Sequence, residues 1–424
     1  MTAPVQKADA DGKSAPPQNW RSGFWWLMAT QFQNAFSDNA LKNLVILLLL
    51  SRSLSLEQRD NAVASAGALF ALPFILFGML GGWLADRFSK RSVMNTVKTA
   101  EIAIMGIASA ALWLDHLGLQ LFSLFLMGCH SAIFGPSKYG ILPEVLPPEK
   151  LSWGNGILEL LTFLGIILGG VSGALFAASF KTGPAPAGLI LTGIACVGWF
   201  LSLGIPRVPA ANPHCALRVN PVTDFFLQMK GMRTDRDLWR ANLGNTAFFL
   251  IAALVQMNLI LFAKDVLHLG EAQNGYLNAS LAIGIGVGSV VAGFASHGTI
   301  EYRLVPAGAL LMFLSTLPMG WESAGVVWFA CALVVLGFGG GLYIVPITAV
   351  LQSRPAPENK GAVQGTASTM SFLGIFAASG IQRLLHWWLS TAQIFWACGV
   401  AALGIGTYVA YSRRSQLFKA RQNA

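Results

Sequence analysis

Four polar side chains lie at helical spacing inside an apolar run near the start of the chain: Gln31, Asn34, Asp38 and Lys42. Their spacings of 3, 4 and 4 residues place them on one narrow stripe of a helix. The run, residues 23–50, is longer than the roughly 20 residues that cross a bilayer. Asp38 would lie near the bilayer midplane, where a carboxylate costs about 2.5–3.5 kcal/mol and must face protein or a wet cavity. Intramembrane ionisable residues usually mark a transport path, so the stripe predicts a protein that moves something across a membrane.

Asp38 is the centre of the candidate site. Lys42 follows it by one helical turn, and we expect the two to pair and so offset part of the cost of burial. The alternative is a pair that only fixes helix packing. Two amides of span seven are expected to be buried and could line the opposite wall. The candidate substrate-binding or coupling residues are Asp38, Asn39, Lys42, Lys138, Gln256 and Asn258.

The composition excludes a soluble globular protein, since 54% of the residues are hydrophobic and only 11% are charged. Apolar runs recur along the whole chain and predict an all-α membrane protein with twelve transmembrane helices in two six-helix halves. We place the spans near residues 24–50, 62–84, 92–114, 117–137, 155–179, 184–206, 241–263, 273–295, 304–321, 325–349, 362–382 and 391–411.

The net charge of +9 is distributed unevenly between the two sides of this topology. If the N-terminus is cytoplasmic, 21 Lys and Arg residues lie on the cytoplasmic side and five on the other. Positive charge favours the cytoplasmic face, which predicts that both termini are cytoplasmic. The basic excess therefore orients the chain and requires no nucleic-acid partner. Five scattered cysteines have no metal-ligand spacing, so we expect neither metal nor cofactor.

The longest loop separates the two halves, and an amphipathic piece within it could lie at the membrane interface. We expect a cytoplasmic tail at 1–22, which has no signal-peptide core, an N-terminal half at 23–206, a central loop at 207–239, a C-terminal half at 240–411 and a basic tail at 412–424. Short motifs recur between the halves at offsets of 209 to 211 residues, as in parallel six-helix repeats. The matched positions are Gly82 and Gly293, Pro136 and Pro346, Asn155-Gly156 and Gln364-Gly365, and the segments 162–166 and 371–375.

The segment 82–91 between spans two and three contains a glycine, an Asp-Arg pair at 86–87 and a basic pair at 90–91. This arrangement resembles the signature loop of the major facilitator superfamily, with Ser89 in the usual place of a glycine. Asp86 could pair with basic side chains or reach the N-terminus of a neighbouring helix, where negative charge is favoured. The basic residues are expected to meet anionic headgroups. For Lys98 and Glu101 in span three, snorkelling or latch-forming charges are the favoured interpretation. The expected conformational latch comprises Gly82, Asp86, Arg87, Lys90, Arg91 and Glu159.

Three segments, 31–41, 134–144 and 151–159, together resemble the LplT-type lysophospholipid transporters of that superfamily. The likeness is closer to the transporter domain that some bacteria fuse to an acyltransferase and an acyl–carrier-protein synthetase. It implies alternating access and inward movement of lysophospholipids across the bacterial inner membrane for reacylation. It also implies a lysophospholipid acyltransferase or acyl–carrier-protein synthetase as partner, because the fused domains are missing from this chain.

Other functions were weighed against this interpretation. An enzyme is not expected, since none of the six histidines is followed five residues later by Asp, as an acyltransferase dyad requires. A proton-coupled exporter of drugs or small metabolites, with Asp38 as proton carrier, is the main alternative. A non-transporting membrane anchor for a separate acyltransferase would leave the stripe around Asp38 unexplained.

Overall fold

The computed structural model describes residues 20–52, 56–180, 183–217, 220–319 and 325–422, and these contain no β-strand. Thirteen α-helices occur within the described ranges. The first seven are α1 (Trp20–Leu50), α2 (Leu56–Arg87), α3 (Lys90–Trp113), α4 (Leu117–Val145), α5 (Leu151–Ser179), α6 (Ala185–Ser202) and α7 (Pro221–Met232). The others are α8 (Arg236–Asp265), α9 (Glu271–Ala295), α10 (Leu304–Met319), α11 (Val326–Ser353), α12 (Lys360–Leu385) and α13 (Thr391–Gln422).

Each of the twelve expected spans corresponds to one long helix, and α7 is the amphipathic piece of the central loop. Within the described residues, eight helices are long and apolar enough to cross a membrane. The helices α1, α3 and α12 are less apolar because polar side chains interrupt them, and α10 has only 16 described residues. Of the candidate residues, Asp38, Asn39 and Lys42 lie on α1, whereas Lys138, Gln256 and Asn258 lie on α4 and α8, which are apolar enough to span.

The helices form two compact units, each with its own core. The first contains residues 1–154, 165–225 and 355–366, and the second contains residues 155–164, 226–354 and 367–424. In the first, apolar side chains of α1, α3, α4 and α6 pack into one cluster around Leu44, Met105 and Leu191. In the second, α8, α11 and α13 meet through three stacked or edge-on rings, those of Phe262, Phe329 and Phe395, with centroids 4.7–5.6 Å apart.

The internal repeat is visible in the backbone. Short 3₁₀ turns at Pro148–Lys150 and Pro357–Asn359 lead into α5 and α12. Gly156 of α5 lies directly against the backbone of Ser289 in α9, within the second unit. Its repeat partner Gly365 in α12 lies as closely against α2, where an added Cβ would be 2.6 Å from the carbonyl oxygen of Gly78. Both glycines, 209 residues apart, permit helix contact at backbone distance.

Candidate transport site

In the polar stripe of α1, Gln31, Asn34 and Asp38 are buried within the first unit, where α1 packs against α4 and α6, and Lys42 is half-buried. Asp38 is 7% exposed. Its Oδ2 accepts hydrogen bonds from the Ser131 hydroxyl of α4 at 2.6 Å and from the Asn34 amide at 3.1 Å. Its Oδ1 is buried and accepts no hydrogen bond from the described residues. Asp38 is therefore held by one oxygen while the other remains unused.

The expected ion pair between Asp38 and Lys42 is wrong. The Lys42 ammonium donates to Oδ1 of Asn39 at 3.0 Å and lies 5.4 Å from the ring centroid of Phe70 in α2. The long side chain of Lys42 reaches an aromatic face on the neighbouring helix, whereas Ser131 and Asn34 occupy the bonded oxygen of Asp38. Asp38 therefore receives no salt-bridge compensation from its own helix.

The buried cation of this region is Lys98 in α3. Its ammonium donates to Oε2 of Glu101 at 2.5 Å and to the side-chain oxygens of Gln33 and Asn34, each at 2.8 Å. Lys98 and Glu101 are both 0% exposed. Snorkelling of these two charges is therefore wrong, because their side chains are buried against α1; a latch-forming role stays a prediction. Fully buried ions of this kind require hydrogen-bonded partners, and here α1 supplies them.

Sequence reasoning missed His130 in α4. Its Nε2 lies 3.4 Å from Oε2 of Glu101, and its Nδ1 lies 3.4 Å from the hydroxyl oxygen of Ser131. Its ring stacks on Phe134, with an interplanar angle of 10°. The sequence did contain a signal for this cluster: Lys98 and Glu101 lie three residues apart in span three, and His130 is a lone histidine inside span four.

These contacts close a ring of side chains from three helices, which we call the polar ring. Lys98 bonds the Asn34 amide, which bonds Asp38. From Asp38 the contacts continue through the Ser131 hydroxyl and the His130 imidazole to Glu101, which bonds Lys98. A Gln33 amide braces it from α1, donating to Glu101 at 2.9 Å and to Ser37 at 2.8 Å. The members of the polar ring are Asn34, Asp38, Lys98, Glu101, His130 and Ser131.

The backbone of α6 lies against the side chain of Gln33. A Cβ added at Gly198 would overlap the Gln33 amide, so the glycine and the amide are in direct contact. The buried charges are therefore enclosed by helix α6 as well as by α1, α3 and α4. Such an enclosure keeps the ring out of contact with lipid, as an intramembrane charge requires.

The remaining candidate residues lie elsewhere. Lys138 of α4 is buried, with its ammonium 4.3 Å from the ring centroid of Tyr139. The expectation that Gln256 is buried is wrong, since its side chain is exposed at this turn of α8. Asn258 is fully buried, but its amide bonds Thr391 and Gln382 within the second unit. Its hydrogen-bonding capacity is thus used in helix packing.

The motif between α2 and α3, residues 82–91, contacts the first turn of α12. The carboxylate of Asp86, 1% exposed, accepts from the backbone N–H groups of Gly361 at 2.6 Å and Ala362 at 2.8 Å. These are unsatisfied donors of the first turn of a helix, where a negative charge is also favoured by the dipole. Gly82 permits the approach, because a Cβ there would lie 2.6 Å from the carbonyl oxygen of Gly361.

The basic residues of the motif contact protein groups; for the buried Lys90 the expected contact with lipid headgroups is wrong, and for the partly exposed Arg87 and Arg91 it stays a prediction. Lys90 is fully buried and pairs with Glu144 at 2.7 Å. Arg87 donates to the carbonyl oxygen of Cys215 at 2.6 Å, and Arg91 donates to that of Leu203 at 2.6 Å. The loop after α6 folds back over the motif and supplies these carbonyl groups, which charged donors bind strongly.

The second unit has no carboxylate equivalent to Asp86, because the matching position in the repeat, 211 residues later, is His297. An ion cluster occurs at the ends of α8 and α11 instead, where Arg354 lies 2.7 Å from Asp235 and 3.3 Å from Asp237. Burial raises the pKa of Asp235, but hydrogen bonds from Arg354 and the backbone outweigh this and hold the pKa below its usual range. Glu159 is buried in the segment of α5 that packs with this unit.

Comparison with known proteins identifies the family. A family model described as Major Facilitator Superfamily matches residues 27–379. A lysophospholipid transporter LplT of Klebsiella pneumoniae subsp. pneumoniae is 31% identical over 403 residues, which cover 92% of this chain and 93% of that protein. The chain belongs to the LplT family of the major facilitator superfamily. The LplT protein of Salmonella typhimurium is 30% identical over 367 residues, 84% of this chain and 85% of that protein.

Solved structures of other transporters have the same fold as this chain. The human organic anion transporter MFSD10 has a TM-score of 0.80 at 16% identity, covering 93% of this chain and 100% of that one. The E. coli fucose:proton symporter FucP has a TM-score of 0.75 at 12% identity, covering 93% and 99%. Identities this low show the fold alone. The predicted all-α major facilitator fold is confirmed, and the chain is a multi-pass membrane transporter and not an enzyme.

Proposed function

We propose that this transporter moves lysophospholipids inward across the bacterial inner membrane, by alternating access, so that they can be reacylated. The observation that carries the proposal is the match over 92% of the chain to a protein named as a lysophospholipid transporter. A fold shared with sugar and organic-anion transporters could not by itself name a substrate.

The chemistry of the site suits such a substrate. A lysophospholipid has one acyl chain and a phosphate headgroup, which in the ethanolamine lipid also carries an ammonium group. The unused, buried Oδ1 of Asp38 can accept a hydrogen bond from that ammonium. Lys42, half-buried and bonded to the neutral Asn39, can hold the phosphate as a point charge, as can Lys138. The exposed amide of Gln256 offers a further polar contact.

The contact between α2 and α12 is proposed as a conformational latch. Asp86 bonds two backbone N–H groups of α12, a helix that joins the first unit only by its first turns. A carboxylate that binds a helix end in one state and leaves it in another would give the transporter two discrete arrangements. Glu159, in the α5 segment that packs with the second unit, is proposed to belong to the same device.

We place both termini in the cytoplasm, on the distribution of 21 against five basic residues. The partner expected there is a lysophospholipid acyltransferase or acyl–carrier-protein synthetase, which would consume the lipid delivered. Such a partner would draw transport inward by removing the product, whatever the coupling of the transporter.

The test is uptake of labelled lysophosphatidylethanolamine by bacterial cells that lack their own lysophospholipid transporter and express this chain. We expect uptake above the empty-vector control, and diacyl product only when an acyltransferase is present in the same cells. Uptake equal to the vector control, with normal membrane expression, would refute lipid transport. Resistance to added drugs or loss of small metabolites in the same cells would then favour the proton-coupled exporter.

A further inference from the structure

A reciprocal pair of amides lies at the start of α5. The first turns of this helix pack with the second unit, whereas the rest of it belongs to the first. Asn155 donates to Oε1 of Gln352 in α11 at 2.8 Å, and the Gln352 amide donates back to Oδ1 of Asn155 at 2.9 Å. Both side chains are 0% exposed, and both belong to the second unit. The two amides therefore join the start of α5 to the end of α11 without any charge.

The same turns of α5 fit closely against α9. A Cβ added at Gly156 would lie 2.4 Å from the carbonyl oxygen of Ser289, so the two backbones are in contact. The side chain of Leu160 lies against Gly286 of α9, where an added Cβ would be 2.9 Å from it. Positions 156 and 160 are about one turn apart, so one face of α5 makes both contacts. This face of α5 is therefore complementary to α9.

The first turns of α12 are arranged in a similar way in the other half of the repeat. Residues 360–366 of α12 pack with the first unit, and the rest of the helix belongs to the second. Gly365 lies against the backbone of α2, and Asp86 bonds two N–H groups at the start of α12. Each of the two helices thus has a close glycine contact and a polar contact at its start. The polar contact of α12 is made by a carboxylate, whereas that of α5 is made by two neutral amides.

An amide pair is suited to a contact that opens and closes. While Asn155 and Gln352 are together, each amide satisfies the other, and when they separate, water satisfies both. The net free energy of such an exchange is small, so neither arrangement is strongly favoured. Two apolar side chains of similar size would have to move from a buried contact into water, which is costly. An amide pair therefore separates more easily than an apolar contact would.

We propose that Asn155 and Gln352 form a second conformational latch, which releases the start of α5 from α9 and α11 and receives it again in each transport cycle. The two side chains are positioning residues, because they act on the place of α5 and not on the substrate. The proposal rests on the alternating access of the proposed function, but not on the identity of the lipid.

A cysteine covered by α5 can report the opening of this latch. Ser289 is 0% exposed, and its hydroxyl has no hydrogen-bond partner among the described residues, so Ser289→Cys removes no bond. In a full-length protein whose five native cysteines are replaced, the rate of maleimide labelling at position 289 measures how often α5 leaves α9.

Two variants of the pair should change this rate in opposite directions. Asn155→Leu leaves the Gln352 amide without its partner in the closed arrangement, so labelling should rise about fivefold or more. Asn155→Leu combined with Gln352→Met makes the contact apolar and harder to open. Its labelling and its lipid uptake should both fall below those of the parent protein, while its melting temperature is unchanged or higher.

Asn245→Leu is the matched control. Asn245 is also a buried amide of the second unit, and it donates to the Ser371 hydroxyl of α12 at 2.8 Å, a contact that does not involve α5. Its replacement should lower the melting temperature as Asn155→Leu does, but it should leave the labelling rate at position 289 unchanged. The control thus separates the opening of the latch from a general loss of stability.

Labelling of Asn155→Leu at the rate of the control would overturn the proposal. A double variant with the labelling rate of the parent protein would also overturn it, because the pair would then be a packing contact only. If Asn155→Leu fails to fold, the double variant still decides, since it removes both amides together. Labelling requires no lipid, so it tests the latch even if the wild type takes up no lysophosphatidylethanolamine. That absence of uptake would refute the proposed function alone.

Discussion

Asp38 is the residue on which transport is expected to depend most directly. Replacing it with Asn keeps the volume and removes the charge, so uptake of lysophosphatidylethanolamine should fall at least about tenfold, equivalent to about 1.4 kcal/mol. Protein level should stay near that of the wild type, since a neutral side chain is cheaper to bury. Uptake and membrane expression, measured in the same cells, check this result.

Lys42→Met is the companion variant to Asp38→Asn. Lys42 bonds Asn39 and contacts Phe70 but does not pair with Asp38, so its loss should reduce uptake less and leave expression normal. If Lys42→Met abolished expression and Asp38→Asn rescued it, the two side chains would be a pair after all. That rescue would contradict the structure.

Lys98 and Glu101 should be energetically coupled. Lys98→Met leaves the Glu101 carboxylate without its cation, and breaking a buried ion pair from one side costs about 3–5 kcal/mol. Adding Glu101→Gln should recover much of that loss, since the carboxylate charge that Lys98 balanced is then removed as well. Thermal unfolding of the purified protein in detergent measures both changes. Lys42→Met, half-buried and outside the ring, serves as the control, and a Lys98→Met protein as stable as this control would rule out the coupling.

At the level of the elements, the contact between α2 and α12 is expected to be intolerant of added volume. A methyl group at Gly82 would lie 2.6 Å from the carbonyl oxygen of Gly361, so Gly82→Ala should destabilise the protein by about 1–3 kcal/mol and reduce uptake. Gly67→Ala on the same helix meets open space and should be neutral or slightly stabilising. Thermal unfolding and uptake of the two variants, compared side by side, provide the measurement.

Asp86→Ala tests the latch without adding volume. It removes two hydrogen bonds to the first turn of α12, so uptake should fall while membrane insertion remains normal. Asp86→Asn keeps an acceptor oxygen and should retain more activity than Asp86→Ala. Wild-type uptake by a normally expressed Asp86→Ala protein would remove Asp86 from the mechanism.

For the whole molecule, the topology predicts which side chains can be labelled from outside the cell. With the five native cysteines replaced, Val222→Cys in α7 and Trp388→Cys between α12 and α13 provide two reporters, 61% and 76% exposed. Both termini in the cytoplasm place position 388 outside and position 222 inside. An impermeant thiol reagent added to intact cells should therefore label only position 388. Labelling at position 222 would reverse the orientation.

The sequence alone determined the features that depend on one helix at a time. Twelve apolar runs gave the twelve long helices, because burying a backbone in lipid requires a helix and about 20 apolar residues. The repeat offset of 209 residues gave the paired contacts of Gly156 and Gly365. The stripe through Asp38 followed from helical periodicity, and the same geometry explains why Gln31, Asn34 and Asp38 are buried together.

Only the tertiary structure decided which side chains meet across helices. Lys42 is nearest to Asp38 in sequence, yet Ser131 of α4 bonds it and Lys98 of α3 joins it through Asn34. Periodicity tells which face of a helix is polar but not which neighbour that face will contact, since this depends on the packing angles and offsets of several helices. The polar ring includes His130, which sequence reasoning missed. It forms only because the packing of α1, α3 and α4 brings these side chains to the same level along the three helices.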